Sequence, residues 1–206
     1  MKTNLIIFSL LLQLIISSCT AQSDSTNYQN GDIIFQTTSS SQCKAVQLAT
    51  HSVYSHCGML YFKDNQWFVF EAIGPVKFTP LTEFIEGGEG KHYVIKRVKN
   101  ISQNEWKTKT ETIKTFVNKE LGKPYDLYFN WDDSKIYCSE LVWKLYKTAF
   151  NIEVGKLQLM KDFDLSHPIV KAKLKERYGN NIPLNEQVIS PARIFESDLL
   201  VLIEEK

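Results

Sequence analysis

Beyond residue 30 the apolar positions follow two periods, about two in some stretches and about 3.6 in others, which mark strands and amphipathic helices. Gly31-Asp32-Ile33-Ile34-Phe35 reads as a short buried strand. Residues 41–49 carry Ala45, Val46, Leu48 and Ala49 on one side, the inner stripe of a helix. Residues 55–62 and 67–73 are strands joined by Lys63-Asp64-Asn65-Gln66, a hairpin turn by composition. Residues 76–78 form a further short strand, 80–85 a helical turn closed by Gly87-Gly88, and 92–98 a strand. Ser102 opens a helix with Glu105 three residues on as a capping box. Trp106, Ile113, Phe116, Val117 and Leu121 mark its inner face, and Gly122 and Pro124 stop it. A strongly amphipathic helix starts at Cys138, with Leu141, Val142, Leu145, Tyr146 and Ala149 on one face. A basic helix over 168–178 ends at Gly179, a short one over 191–197 is capped by Ser190, and 199–203 is a last strand. This mixture predicts an α+β fold with an antiparallel sheet packed against helices.

Residues 1–22 lie outside that pattern. Lys2 precedes an apolar run from Leu5 to Ile16, shorter than the ~20 residues a membrane span needs. It reads as a secretory signal. Ile16-Ser17-Ser18-Cys19 resembles a bacterial lipobox, which implies Cys19 as the lipidated first residue of the mature chain. A plain cut near Ala21 is the alternative. Residues 23–30 are polar, as suits a tether between membrane and domain. The expected organisation is a leader over 1–22, a tether over 23–30 and one domain over 31–206, at the bacterial cell envelope, periplasmic or outer-membrane associated.

Composition adds exclusions. A chain of 206 residues with 43% hydrophobic content can build one core of ordinary size. Lys+Arg 24 against Asp+Glu 23, with no basic cluster, leaves no footprint for nucleic acid. There is no CxxC or HExxH, and His51 and His56 lack nearby carboxylates in sequence, so neither metal nor cofactor is implied. In an oxidising compartment Cys43 and Cys57 have the option of a disulfide, which would leave Cys138 free.

Cys138 carries the strongest chemical signal. A thiol at a helix N-terminus feels the positive end of the macrodipole, which favours its thiolate. A base is available upstream in Tyr54-Ser55-His56-Cys57-Gly58. If Asp64-Asn65 centre the hairpin turn, Gly58 faces Glu71, so His56, Gly58 and Glu71 share one face. His56 and Glu71 are then diagonal neighbours, and the carboxylate can hold the imidazole in its working tautomer. Gly58 leaves room for them to meet. By the same parity Cys57 points to the opposite face with Met59 and Phe70, as a small core residue. His51, in a loop after the first helix, is the rival base, while His92 and His167 have no evident partner. Asp126, Asp132 and Asp133 precede the Cys138 helix as candidate caps.

Three segments in this order resemble a known family: Gly31-Asp32-Ile33-Ile34-Phe35, then residues 49–58, then Tyr137-Cys138-Ser139-Glu140-Leu141-Val142. The chain resembles the permuted papain-like hydrolases of the YiiX/YebB type, within the NlpC-like cell-wall peptidase superfamily, with lecithin–retinol acyltransferases as permuted cousins. The resemblance spans about residues 31–203, since Val188-Ile189-Ser190-Pro191 onward also matches. It implies a permuted papain-like fold, an antiparallel sheet or small barrel with the Cys at a helix N-terminus. It also implies Cys138 as nucleophile, His56 as base and Glu71 as the polar third member. A tyrosine before the nucleophile, helping to hold the oxyanion, corresponds to Tyr125 in Gly122-Lys123-Pro124-Tyr125. Non-permuted relatives carry Asp before the Cys and Gly after the Ser. Tyr137 and Glu140 stand there in this chain, a departure that bears on the substrate more than on the chemistry.

The expected activity is that of a thiol hydrolase on a small peptide or amide near the envelope, plausibly a peptidoglycan fragment, with a lipid on Cys19 as the link to the membrane. One alternative is an acyltransferase or lipid esterase on the same three residues. Abundant aromatics (Phe 12, Tyr 9) suit an acyl cleft as well as a core. The other alternative is a non-catalytic envelope binding module. Loops 37–42 and 127–135 are where substrate choice is expected.

Overall fold

The computed structural model describes residues 27–206. The expected leader, Cys19 and residues 23–26 of the tether lie outside the described residues. From the N-terminus, strand β1 (Ile33–Gln36) leads to helix α1 (Ser41–Thr50) and then to the hairpin of β2 (His56–Lys63) and β3 (Gln66–Ala72). Strand β4 (Val76–Pro80) runs into the short α2 (Leu81–Glu86), and β5 (Val94–Val98) precedes α3 (Gln103–Thr108) and α4 (Thr110–Glu120). The long α5 (Cys138–Phe150) is followed by β6 (Gln158–Leu159), α6 (Pro168–Tyr178), β7 (Gln187–Val188), α7 (Pro191–Phe195) and β8 (Leu200–Glu205). Six strands form one antiparallel sheet in the order β4-β3-β2-β1-β5-β8, while β6 and β7 pair separately. This is the expected α+β class, an antiparallel sheet against helices.

The β2–β3 hairpin sets the geometry of all that follows. Asp64 (φ 50°) and Asn65 (φ 60°) both take left-handed backbone, the two-residue turn whose twist matches paired strands. The register runs from Lys63↔Gln66 to Met59↔Phe70 and so carries Gly58 opposite Glu71, as the sequence predicts. Alternation then divides the two faces. Cys57, Met59 and Phe70 join the core formed with Leu141, Val142 and Leu145 of α5. Leu60 and Val69 face the other way, with Ile34 and Ile95, under Phe84 of α2. A third cluster joins Met160 and Val188 to Val170 and Leu174 of α6, with Leu48 and Ala49 of α1 packed on it.

Several expectations need correction. The helix opened by Ser102 has its capping box, with Glu105 N–H donating to Ser102 Oγ at 3.2 Å and Ser102 N–H to Glu105 Oε2 at 2.7 Å. It then breaks at Lys109 into α3 and α4. The hydroxyls of Thr108 and Thr110 donate to the carbonyls of Glu105 and Lys107, competing with the helical ladder at the break. Leu121 is not on the inner face. The helix ends at Glu120, and Leu121, past that end, is 47% exposed. Glu120 is buried instead, with Lys123 Nζ at 2.7 Å from its carboxylate. Residues 27–30 are not a free tether. The ring of Tyr28 meets Trp67 edge-on at 5.9 Å, Gln29 N–H donates to Asp32, and Asn30 accepts from Phe62 N–H. The β6–β7 pair has too few residues to show a period and was not expected.

Gly31 and Gly58 are required as glycines. Gly31 has φ +90°, and a Cβ there would lie 2.2 Å from the Trp106 ring. A Cβ at Gly58 would lie 2.4 Å from Val69 Cγ1 and 3.2 Å from Glu71 Cβ. Gly58→Ala therefore pushes β3 and Glu71 away from β2. We expect it to cost about 1–3 kcal/mol in urea unfolding, the usual range for overpacking. An unchanged unfolding midpoint would contradict this close approach.

Candidate active site

The site begins at the N-terminus of α5. Tyr137 caps the helix in extended backbone, and its N–H donates to Glu140 Oε2 at 3.3 Å. The C-terminal segment pins this end. Ser139 Oγ donates to the Ile189 carbonyl at 2.7 Å, and Ile189 N–H donates to the Tyr137 hydroxyl at 3.0 Å. The aspartates read as caps serve elsewhere. Asp126 accepts from Tyr128 and Asn130 N–H within its own loop, Asp132 accepts from Ser134, and Asp133 faces Lys119 and Lys144. Glu140, one of the two departures from the non-permuted pattern, is fully buried with Lys144 Nζ at 2.7 Å. Burial pushes its carboxyl up to about 7 against the pull of Lys144.

His56, Glu71 and Cys138 come together as the sequence predicts. His56 Nε2 lies 2.6 Å from Glu71 Oε2, with both residues buried. Glu71 is held in turn by the hydroxyl of Thr79 on β4, which donates to Oε1. That arrangement leaves Nδ1 of His56 free of Glu71, with Cys138 as its neighbour. Burial opposes the imidazolium, yet the bond and charge of Cys138, followed by Glu71, outweigh it and push His56 up to about 10. The Cys138 thiol is held well below its ordinary value. The Cys57 thiol bond contributes most, burial works against it, and His56 adds a hydrogen bond and its charge. Cys57 moves the opposite way, raised by burial and by its bond to Cys138, so it stays protonated as the donor. Both shifts favour a thiolate paired with an imidazolium.

Tyr125 joins them because residues 125 and 136 form a parallel bridge just ahead of α5. Its hydroxyl lies along the same cleft as Cys138. Burial, then that thiolate, raise its pKa well above normal, so it remains a donor. Thr79 and Cys57 escaped the sequence reading. Cys57 does point to the core face, as parity predicts, but α5 packs on that same face and brings its sulfur to Cys138. The open disulfide question is answered by this packing: Cys43 and Cys57 are both free, and Cys43 instead bonds Thr38 Oγ1 at 3.0 Å. His51, the rival base, does not join this group. It caps α1, stands largely exposed and pairs with Asp164 at 3.2 Å. His92 stacks on Tyr54, and His167 caps α6 through Nδ1.

A cleft with a cavity volume of about 110 Å³ opens beside Cys138. Its walls come from α1 (Val46, Ala49), α6 (Val170, Leu174) and the segment between α5 and α6 (Met160, Phe163), with Lys173 and Arg177 also lining it. Glu140 lies outside it.

Comparison with known proteins agrees with this fold. The family profile described as permuted papain-like amidase enzyme, YaeF/YiiX, C92 family, matches residues 27–204. An uncharacterised protein of Escherichia coli (strain K12), YiiX, is 48% identical over 204 residues, covering 98% of this chain and 96% of its own length. A crystal structure of YiiX from Escherichia coli O157:H7, described there as a metalloprotein, superposes with a TM-score of 0.81 at 50% identity, covering 86% of this chain and 97% of that one. The residues here do not fit a metal. Among the described residues no group of three or more His, Cys, Asp or Glu is placed to hold one, and His56 is committed to Glu71 and Cys138.

The ion pair should persist from the depressed Cys138 value up to about 10, where His56 gives up its proton. Iodoacetamide should alkylate Cys138 rapidly well below the ordinary thiol pKa of about 8.5. Glu71→Gln removes a charge that favours the imidazolium. The apparent thiolate pKa, read from the alkylation rate against pH, should therefore rise. No movement would show that Glu71 does not support the pair.

Proposed function

This chain belongs to the permuted papain-like amidases of the YaeF/YiiX type, which are cysteine hydrolases by family, and on that footing we propose that it cleaves amides of apolar acyl groups at the cell envelope. The observation that carries the acyl side is the cleft, whose apolar walls begin at the nucleophile. A polar stem peptide would leave its hydrogen-bonding groups unpaired against Val46, Met160 and Leu174. An acyl chain there gains the hydrophobic term along its length. The lipid-esterase alternative shares this acyl pocket, and the amide assignment follows the family.

The proposed mechanism uses the resting ion pair. The Cys138 thiolate attacks the carbonyl carbon, and the oxyanion is held by the Cys138 backbone N–H at the α5 N-terminus and by the Tyr125 hydroxyl. The His56 imidazolium gives its proton to the leaving amine as the C–N bond breaks. Neutral His56 then takes a proton from water, whose oxygen attacks the thioester; the C–S bond breaks, the acid leaves and the Cys138 thiolate is restored beside the imidazolium. Glu71, steadied by Thr79, keeps the imidazole ring aimed through both steps. A lipid on Cys19 would hold the domain beside membrane-derived substrates.

Cys138→Ala should abolish turnover with the fold intact. Across a series of N-acyl amides from acetyl to decanoyl, kcat/KM should climb by up to about fourfold for each methylene buried. A stem peptide cleaved as well as the decanoyl amide would overturn the acyl assignment. For the anchor, Cys19→Ala should shift the protein from the membrane to the soluble fraction; an unchanged membrane fraction would remove the lipid.

A further inference from the structure

Tyr125 is tied to a second pair of side chains. Gln42, in the first turn of α1, donates from Nε2 to the Tyr125 hydroxyl at 3.1 Å. Its Oε1 accepts from Arg177 Nη2 of α6 at 2.6 Å. The guanidinium of Arg177 in turn lies over the Phe129 ring, 5.2 Å from its centroid. A guanidinium can only donate. The amide oxygen of Gln42 must therefore face Arg177, and its nitrogen must face Tyr125. A tyrosine hydroxyl carries a single proton. With its oxygen accepting from Gln42, that proton is left for Cys138, which lines the same cleft as Tyr125.

We propose that Gln42, oriented by Arg177, is a positioning residue that forces the Tyr125 hydroxyl to act as a donor toward the reaction centre. The donor serves the Cys138 thiolate in the resting enzyme and the oxyanion during turnover, a role that rests on the cysteine-amidase reading above. The charge of Arg177 also reaches Tyr125 and favours release of its proton. The three residues come from α1, the segment before α5, and α6, so the relay exists only once α1 and α6 have packed together. Without the relay, a tyrosine hydroxyl rotates freely and has no preference for donating into the site.

Gln42→Glu is the discriminating variant. Glutamate has nearly the same shape and keeps the contact to Arg177, but a carboxylate accepts only and draws the Tyr125 proton to itself. The readout is the rate of iodoacetamide alkylation of Cys138 at pH 6, which requires no substrate. We expect Gln42→Glu to lower that rate about 10-fold, on the scale of a hydrogen bond to a charged group. In a Tyr125→Phe background the same substitution should change it less than about twofold. A mere charge effect of the new carboxylate acts equally in both backgrounds, so equal losses would overturn the relay, as would no loss in either. Arg177→Met, which adds no charge and frees the amide to turn, should show the same dependence on Tyr125. It serves as the test if Gln42→Glu does not fold. The outcome is separable from the proposed activity. A Tyr125-dependent alkylation effect in a protein that cleaves no acyl amide removes the substrate assignment and leaves the relay standing. Normal cleavage with unaltered alkylation in Gln42→Glu removes only the relay.

Discussion

The reaction centre depends on one packing contact, the seating of α5 on β2. Leu141, Val142 and Leu145 of the helix share a core with Cys57, Met59 and Phe70 of the hairpin. That contact brings the first residue of the helix level with the first residues of the strand. It delivers the Cys138 sulfur to two consecutive β2 residues of opposite parity, the His56 ring and the Cys57 thiol. One supplies charge and a proton acceptor, the other a neutral donor. The helix start is held there by Ser139 and Tyr137 bonding to Ile189, so the C-terminal segment is part of the site's support.

Burial of these groups needs pairing, because an unpartnered charge in the core is costly. Buried carboxylates have partners: Glu71 has His56 and Thr79, Glu140 has Lys144, Asp126 has two backbone N–H groups, and Asp32 on β1's flank has Arg97 at 2.6 Å. The apolar cleft beside Cys138 sharpens the effect. A low local dielectric strengthens the thiolate–imidazolium attraction and penalises either charge alone. Burial alone opposes the thiolate, so its ionisation rests on the partners that outweigh that cost.

Much of the fold was legible because its signals are local. The hairpin register follows from a two-residue turn and strict alternation, and it led from Asp64-Asn65 to the meeting of His56 and Glu71. The start of α5 follows from the spacing of Leu141, Val142 and Leu145. Failures came where a local pattern continued past a local event. Leu121 keeps helical spacing, but the helix stops one residue earlier. The helix from Ser102 reads as continuous, while threonine hydroxyls interrupt it at Lys109. Tyr28 sits in a polar segment, yet one aromatic ring is enough to dock it on Trp67.

The sequence by itself determined most of the strands and amphipathic helices and the meeting of His56 with Glu71, since each depends on period, parity or the end of a helix. Only the tertiary structure decided what surrounds them. Cys57 met Cys138 because a helix chose the face to which that thiol points. The cleft arose where α1 and α6, more than a hundred residues apart, enclosed space beside the sulfur, and Gln42 reached Tyr125 and Arg177 by the same packing. Periodicity along a chain reports which side of an element is apolar. It carries no information about which other element covers that side, and the cleft beside Cys138 is formed by that covering.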